Sequence, residues 1–283
     1  MQDWEDLRHF LMLAREGTLS AAARGLGVDH ATVARRIRAI ESETGLKLVD
    51  RRNRSYTLTD EGQRIAATAK PMEEAAFAVG RAVLAVKPGV QGEVAISAPP
   101  SLASALIAPQ IVRLRQRHPG IVLKLIGEKR TVSLNRREAD VALRLTRPSE
   151  PGLIARKIGS FGFSLYGAPA YLKETPRQAL AFIAYDGTMD DSPQQTWLTA
   201  TAAGHDIVLR TNDLESQASA ARSGVGLAVL PHFLGDADPK LARYAAAPTP
   251  VRRDLWLVIH RDLRRAPAVR AVMEFLAESL KVI

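Results

Sequence analysis

Residues Ile65, Ala69, Met72, Ala76, Val79, Val83 and Val86 are spaced 4-3-4-3-4-3. No other feature of the chain restricts its fold so strongly. An alternation this long calls for one continuous helix with a narrow apolar seam, the pattern of a helix that pairs with a second helix. The other reading of the seam is a helix packed along its own domain. Thr59 is placed to cap this helix. Asp60 and Glu61 fall in its first turn, where carboxylates suit the helix dipole. Pro88-Gly89 marks its end, so the predicted helix covers residues 60–87. Pro71 lies inside it and predicts a bend, because proline deletes one helical hydrogen bond. The seam divides the 283 residues into a short N-terminal part and a long C-terminal part, which suits about two domains.

Residues 3–15 carry Trp4, Leu7, Phe10, Leu11 and Ala14 on one helical face, and Gly17 ends that helix. Thr18 or Ser20 can cap a short second helix that stops at Gly25–Gly27. Asp29 can cap a third helix that runs to Thr44, with Gly45 as its stop. Two short helices joined by a tight glycine turn form a helix-turn-helix. The third helix begins HATVARRIRAIE. On a wheel of 100° per residue, Val33, Ile37 and Ile40 share one side. Arg35 points away from them. Ala31, Thr32 and Ala39 lie beside it, and Arg36 and Arg38 flank it. That outer face is slim and basic, the shape a helix needs to enter the major groove. A solvated helix face is the alternative. His30, in the first turn, can donate to or accept from a base edge, or can be solvated. Residues 46–59 predict two short strands around Arg51-Arg52-Asn53-Arg54, a basic hairpin that can lie along a DNA backbone or in the minor groove, or as an isolated feature be a solvated turn.

The stretch FLMLAREGTLSAAARGLGVDHATVARRIRAIESETGLKLVDRRNRSYTLTDEG resembles the N-terminal domain of LysR-type transcriptional regulators. The resemblance rests on the Phe10 helix, the Gly-Thr-Leu-Ser-Ala-Ala-Ala run and the helix bearing Val33, Arg35, Ile37 and Glu41. Gly45, Leu48, Arg51 and the closing Leu58-Thr59 with Gly62 add to it. Two positions depart from the family. Ala34 stands where a phosphate-contacting serine is common, and Val49 where a phenylalanine is usual. The resemblance implies double-stranded operator DNA as a partner. It implies a homodimer through the linker helix, and a homotetramer beyond that.

The remaining residues alternate strand-like and helical runs. Strands are expected at 93–97, 122–126, 140–145, 207–210, 226–230 and 255–260. Helices are expected up to residue 117, briefly after residue 126, at 214–222 and at 267–280. This is the βαβ pattern of a mainly parallel sheet. The runs GEVAISAPPSLASALIAPQIV, RHPGIVLKL, READVALRL, LYGAPAYL and TNDLESQASAARSGVGLAVLP resemble the effector-binding domain of the same family, which is similar to periplasmic solute-binding proteins. The expected architecture has an N-terminal all-α winged helix-turn-helix at 1–59 and a linker helix at 60–87. A C-terminal α/β effector domain of two subdomains follows at 88–283, with crossovers near 160–165 and 258–265. A small-molecule effector would sit in the cleft between the subdomains, beyond the carboxyl ends of strands. Ser97, Pro100 and Ser101 open a helix where an anion could bind, although Ser101 could be a plain cap. The resemblance sets Gly127 and Glu128 opposite them. Arg144 and Thr146 end a strand on that side, and Thr211 and Asn212 approach from the second subdomain. Glu128 would repel an anion unless Arg144 or Lys129 offsets it.

The bulk composition excludes more than it assigns. With no cysteine there is no disulfide, thiol nucleophile or thiolate metal site. The six histidines, at 9, 30, 118, 205, 232 and 260, have no metal-ligand spacing. There is no Gly-x-Ser-x-Gly elbow and no phosphate loop, and Gly224-Val-Gly226 lacks a third glycine. No enzyme, cofactor or metal is expected. The net charge of +9 allows nucleic acid but does not assign it. Residues 1–87 hold 14 Lys/Arg against 12 Asp/Glu, so most of the excess lies elsewhere. No apolar run approaches a membrane span, and the first residues lack a secretory signal, which predicts a cytoplasmic protein. A small-molecule-binding protein without a DNA role is the competing reading.

Overall fold

The computed structural model describes residues 3–52, 56–129, 131–245 and 251–280. The chain forms two units, Met1–Gly80 and Arg81–Ile283. No described helix is long and apolar enough to cross a membrane.

The first unit contains helices α1 (Trp4–Glu16), α2 (Leu19–Leu26) and α3 (His30–Thr44). Local chemistry sets all six ends. The Asp3, Thr18 and Asp29 side chains accept backbone N–H bonds from Glu5, Ala21 and Thr32 at 2.8, 3.2 and 2.6 Å. Thr18, not Ser20, therefore caps α2. Gly17, Gly27 and Gly45 end the helices at φ of 71°, 69° and 68°, a left-handed conformation that glycine adopts without a Cβ penalty. Leu7, Phe10, Leu13, Val33, Ile37 and Ile40 fill the core between them. A hairpin follows, in which β1 (Val49–Asp50) pairs antiparallel with β2 (Thr57–Leu58).

Helix α4 (Asp60–Val86) is continuous for 27 residues through Pro71. The single hydrogen bond that proline removes does not end it. Thr59 caps it, its Oγ1 accepting the Gly62 N–H at 3.0 Å. A Cβ on Gly62 would lie 2.1 Å from the Leu48 carbonyl oxygen, so no other residue fits between the helix start and the hairpin. The seam divides along the helix. Ile65 and Ala69 pack into the core of the first unit. Met72, Ala76, Val79, Val83 and Val86 are exposed.

The second unit begins with β3 (Gly92–Ala98). One helical stretch follows: α5 (Pro100–Leu102), a wider turn at Ala103–Ile107, a tighter one at Ala108–Gln110, and α6 (Ile111–Arg117). Then come β4 (Ile121–Gly127), β5 (Val141–Arg144), β6 (Leu153–Gly167), α7 (Pro169–Glu174), β7 (Phe182–Ala184), α8 (Pro193–Thr201) and β8 (Ile207–Arg210). The chain closes with α9 (Leu214–Arg222), β9 (Leu227–Pro231), α10 (His232–Gly235), β10 (Ala242–Arg243), β11 (Arg252–His260) and α11 (Pro267–Ser279). The sheet order is β4-β3-β5-β11-β6-β9-β7-β8, with β10 beside β6. Strands β4, β3 and β5 run parallel, as do β9, β7 and β8. β6 and β11 are antiparallel to their neighbours and join the two parallel groups.

β6 changes partner between Gly162, opposite Arg252 of β11, and Phe163, opposite Pro231 of β9. β11 already faces Arg144 of β5 at Trp256. The return leg therefore precedes the expected 258–265, because Trp256, Leu257, Val258 and Ile259 already pair with Arg144, Leu143, Ala142 and Val141 of β5. Residues 128–139 also depart from expectation. Instead of a short helix the described residues 131–139 hold one turn, closed by Arg137 N–H to Leu134 O and Glu138 N–H to Ser133 O, with Arg137 left-handed at φ 56°. Two carbonyls of this loop accept bonds from arginines outside it. Arg144 Nη2 donates to Val132 O and Arg81 Nη1 to Asn135 O, each at 2.6 Å.

Candidate functional site

In the first unit the outer face of α3 presents exposed His30, Ala31, Arg35 and Arg38, with Thr32 half-buried. Thr32 Oγ1 donates to Asp29 at 3.1 Å, so the cap also orients the first turn. Among the described residues Arg35 and Arg38 hold no ion pair. Arg36 differs from the flanking role expected of it. Its Nη1 lies 3.0 Å from Asp3 Oδ2 and 2.9 Å from Asp6 Oδ1, and its Nε is buried. The Asp6 hydrogen bond raises its pKa further. Arg36 thus pins α3 to the start of α1. Ala34 is also turned inward, at 8% exposure.

The hairpin is fixed to α3 by Glu41, which the sequence reading had only as part of a resemblance. Its Oε1 accepts the Leu48 and Val49 N–H groups at 3.0 and 3.2 Å, and its Oε2 accepts from Arg51 at 2.6 Å. Arg51 is at the surface but tethered by this bond. Arg52 is exposed and bonded to Asp50, whose carboxyl it draws down to about 2. Arg54 lies outside the described residues.

In the second unit a cavity of about 560 Å³ opens between the two strand groups, within the usual range for small-molecule sites. Of the residues expected there, Ser97, Glu128, Arg144 and Thr146 line it. Pro100, Ser101, Gly127, Thr211 and Asn212 do not. Gly127 packs under Pro100, where a Cβ would sit 3.6 Å from the Pro100 Cα. Ser101 is half-buried, and its carbonyl accepts from Ser104 at 3.3 Å. Thr211 Oγ1 accepts the Asp213 N–H at 3.2 Å. Asn212 Oδ1 accepts from Lys129 at 3.0 Å, and Lys129 lies 3.5 Å from Asp213. Asn212 therefore bonds a lining lysine and Thr211 turns back on its own loop, so neither lines the cavity.

Arg144 holds Val132 O and lies 3.8 Å from Glu150, and burial lowers its pKa. A second guanidinium in the cavity wall, Arg253, was not foreseen. Its Nη1 donates to Gln194 Oε1 at 2.7 Å, and its Nη2 to Leu145 O and Thr146 Oγ1, both at 3.2 Å. Burial lowers its pKa too. A signal for it existed in the sequence. Arg253 shares the period-2 face of Leu255, Leu257 and Ile259, so it is a charge on a core-facing side of a strand. Among the described residues no group of three or more His, Cys, Asp or Glu is placed to hold a metal ion.

Residues 4–63 match the family described as bacterial regulatory helix-turn-helix protein, lysR family, and residues 87–281 match the LysR substrate binding domain. The chain is 31% identical over 232 residues to the AhcY transcriptional activator HvrB of Rhodobacter capsulatus, covering 78% of this chain and 77% of that protein. It is 27% identical over 288 residues to the HTH-type transcriptional regulator CrgA of Neisseria meningitidis, covering 98% of this chain and 96% of the relative. The solved CrgA structure has a TM-score of 0.57 at 25% identity, covering 98% and 99% of the two chains. In fold the chain is also similar to full-length AphB, a Vibrio cholerae virulence activator, with a TM-score of 0.65 at 22% identity over 98% and 99% of the chains.

Proposed function

The chain belongs to the LysR family of transcriptional regulators, proteins that are not enzymes, and from that premise we propose how its residues divide the work. The unit built on α1–α3 binds double-stranded operator DNA with α3 in the major groove. Arg35 reads base edges there, with His30, Ala31 and Thr32 around it, and Arg38 holds phosphate. Arg51, Arg52 and Arg54 lie along the backbone from the wing. Arg36 acts inside the domain and sets the angle of α3. The observation that carries this reading is the contrast along one helix. Arg36 is held by Asp3 and Asp6, while Arg35 and Arg38 stand exposed.

We divide the chain at 1–59, 60–87 and 88–283. The middle segment pairs with its copy in a homodimer, and dimers associate into a homotetramer. The exposed part of the α4 seam supports the first step. A protein of this kind works in the cytoplasm. A small-molecule effector binds the cleft lined by Ser97, Glu128, Arg144 and Thr146, with Thr211 and Asn212 moving with its second wall. It acts by binding one arrangement of the subdomains better than another. The test is binding of the purified protein to the DNA upstream of its own gene, against unrelated duplex, over a range of salt. Preference for the upstream DNA at every salt concentration supports the reading. Equal binding of both at low salt removes the operator from it.

A further inference from the structure

Two of the cations lining the cavity have a carboxylate beside them. Arg144 faces Glu150, and Lys129 faces Asp213 just outside. Arg147 is exposed and lies over the Trp256 ring, 5.6 Å from its centroid. Arg253 is the exception. It is half-buried, lines the cavity, and holds no carboxylate among the described residues. Its three acceptors are neutral: an amide, a carbonyl and a hydroxyl. A guanidinium carries five N–H donors, so two remain unaccounted for. A charge withdrawn from water needs an opposite charge or it is costly to keep, and an unpaired one in a cavity wall points to a ligand that brings it. The wall is mixed: Glu128, Glu150 and Asp191 add carboxylates, and an apolar part is made by Val132, Leu143, Leu145 and the exposed Met189.

We propose that the effector is a small organic acid with one carboxylate, held by the Arg253 guanidinium, with its apolar body against Leu143, Val132 and Met189. This rests on reading the cleft as the effector site. It also resolves the problem of Glu128, because the charge that admits an anion comes from Arg253 and not from Arg144 or Lys129. Arg253 bonds to Leu145 and Thr146 of one subdomain and to Gln194 of the other. A carboxylate on it is therefore gripped where the two halves meet, and a planar fork suits a carboxylate better than a lysine would.

Matched acids and amides test this on the full-length protein. Hexanoate, phenylacetate and longer acids of both series are compared with hexanamide, phenylacetamide and their homologues by thermal shift. At about ten times its Kd a bound ligand should raise Tm by about 3 °C. The expected result is a shift by at least one acid and none by its amide. Arg253→Gln should abolish that shift, and Arg253→Lys should weaken it. If Arg253→Gln does not fold, the acid–amide contrast and Arg253→Lys still decide. Equal shifts from acid and amide, a shift that survives Arg253→Gln, or no shift from any acid would each overturn the proposal. Thr146→Trp, which fills the cavity, separates the two levels. An acid shift that persists in it puts the ligand outside the cleft and overturns the cleft reading itself. An amide shift that Thr146→Trp removes leaves the cleft reading standing and overturns only the carboxylate.

Discussion

Three arginines within four positions of α3 have three different surroundings, and their substitutions should separate accordingly. Arg35→Ala should cost about 1–3 kcal/mol of specific binding and flatten the preference among operator variants. Competition binding with single-base variants checks this, and a loss that is uniform across variants would make Arg35 a phosphate contact. Arg38→Ala should lower the slope of log K against log salt by about 1 and leave base preference intact. Arg36→Ala should lower Tm and leave that slope unchanged, because Asp3 and Asp6 already hold its charge. A fall in the slope would show that Arg36 reaches phosphate after all. The wheel separates the outward Arg35 from the buried Val33, Ile37 and Ile40, since direction follows from helical geometry alone. It could not assign Arg36, because Asp3 and Asp6 belong to another helix some thirty residues earlier. Glu41 was obscure for the same reason: its three acceptor bonds go to a hairpin that only tertiary structure brings near. Arg253 was legible in principle, as a charge on a core-facing strand position, but the strand was expected to begin only at Leu255.

At the scale of elements, legibility follows how local the determinants are. α1 to α3 were readable because their caps and glycine stops lie next to the residues they terminate. β6 was not, because its two halves serve different partners and its burial pattern changes midway. The loop at 131–139 was not readable either, since Arg144 and Arg81 bond two of its carbonyls from outside, contacts that no local pattern shows. Arg81 is the more telling case. It lies in the last turns of α4 and is 5% exposed, its Nε 3.0 Å from Asp262 Oδ2. The pair is asymmetric, since the Asp262 side chain is 38% exposed. Removing the aspartate strands a buried cation, whereas removing the arginine leaves a carboxylate that water can reach. Asp262→Ala should therefore destabilise by about 2–4 kcal/mol, and Arg81→Met by clearly less. Urea unfolding of both variants checks the order, and the reverse order would mean that Asn135 O alone satisfies Arg81. A second buried charge gives a pH test. Asp140 Oδ2 accepts the Ala95 N–H at 2.9 Å, but burial pushes its carboxyl above the ordinary 3.8. Above the raised value it is ionised folded and unfolded, and the folded chain bears the cost. As pH falls through the raised value the folded state takes up the proton first, and the cost is gone below 3.8. Asp140→Asn should be at least as stable as wild type at pH 7, with an advantage that shrinks towards pH 4. An advantage that grows on acidification would mean that the ionised carboxylate stabilises the fold.

The whole molecule turns on what covers the α4 seam. Met72, Val79, Val83 and Val86 are 51%, 67%, 59% and 80% exposed, although Ile65 and Ala69 of the same seam are packed in the first unit. The strict spacing thus has two uses along one helix. Its first turns complete a core, and the rest is surplus to either unit. Apolar residues at heptad spacing in water are satisfied by a matching stripe, which a second copy supplies. If two copies pair there, two winged units are linked and can bind two half-sites at once. The second contact is then made at high effective concentration, and overall affinity exceeds that of one unit by about 10²–10⁴. A charge on the seam removes this without touching either core. Val79→Asp with Val83→Asp should leave the circular dichroism and the thermal transition of the effector domain unchanged, while light scattering shows half or less of the wild-type mass. Binding to a two-half-site duplex should fall towards that of a single half-site, and binding to a lone half-site should not change. An unaltered mass would place the contact between copies elsewhere on the surface. A full loss of lone half-site binding would mean that α4 supports the winged unit well beyond Ala69.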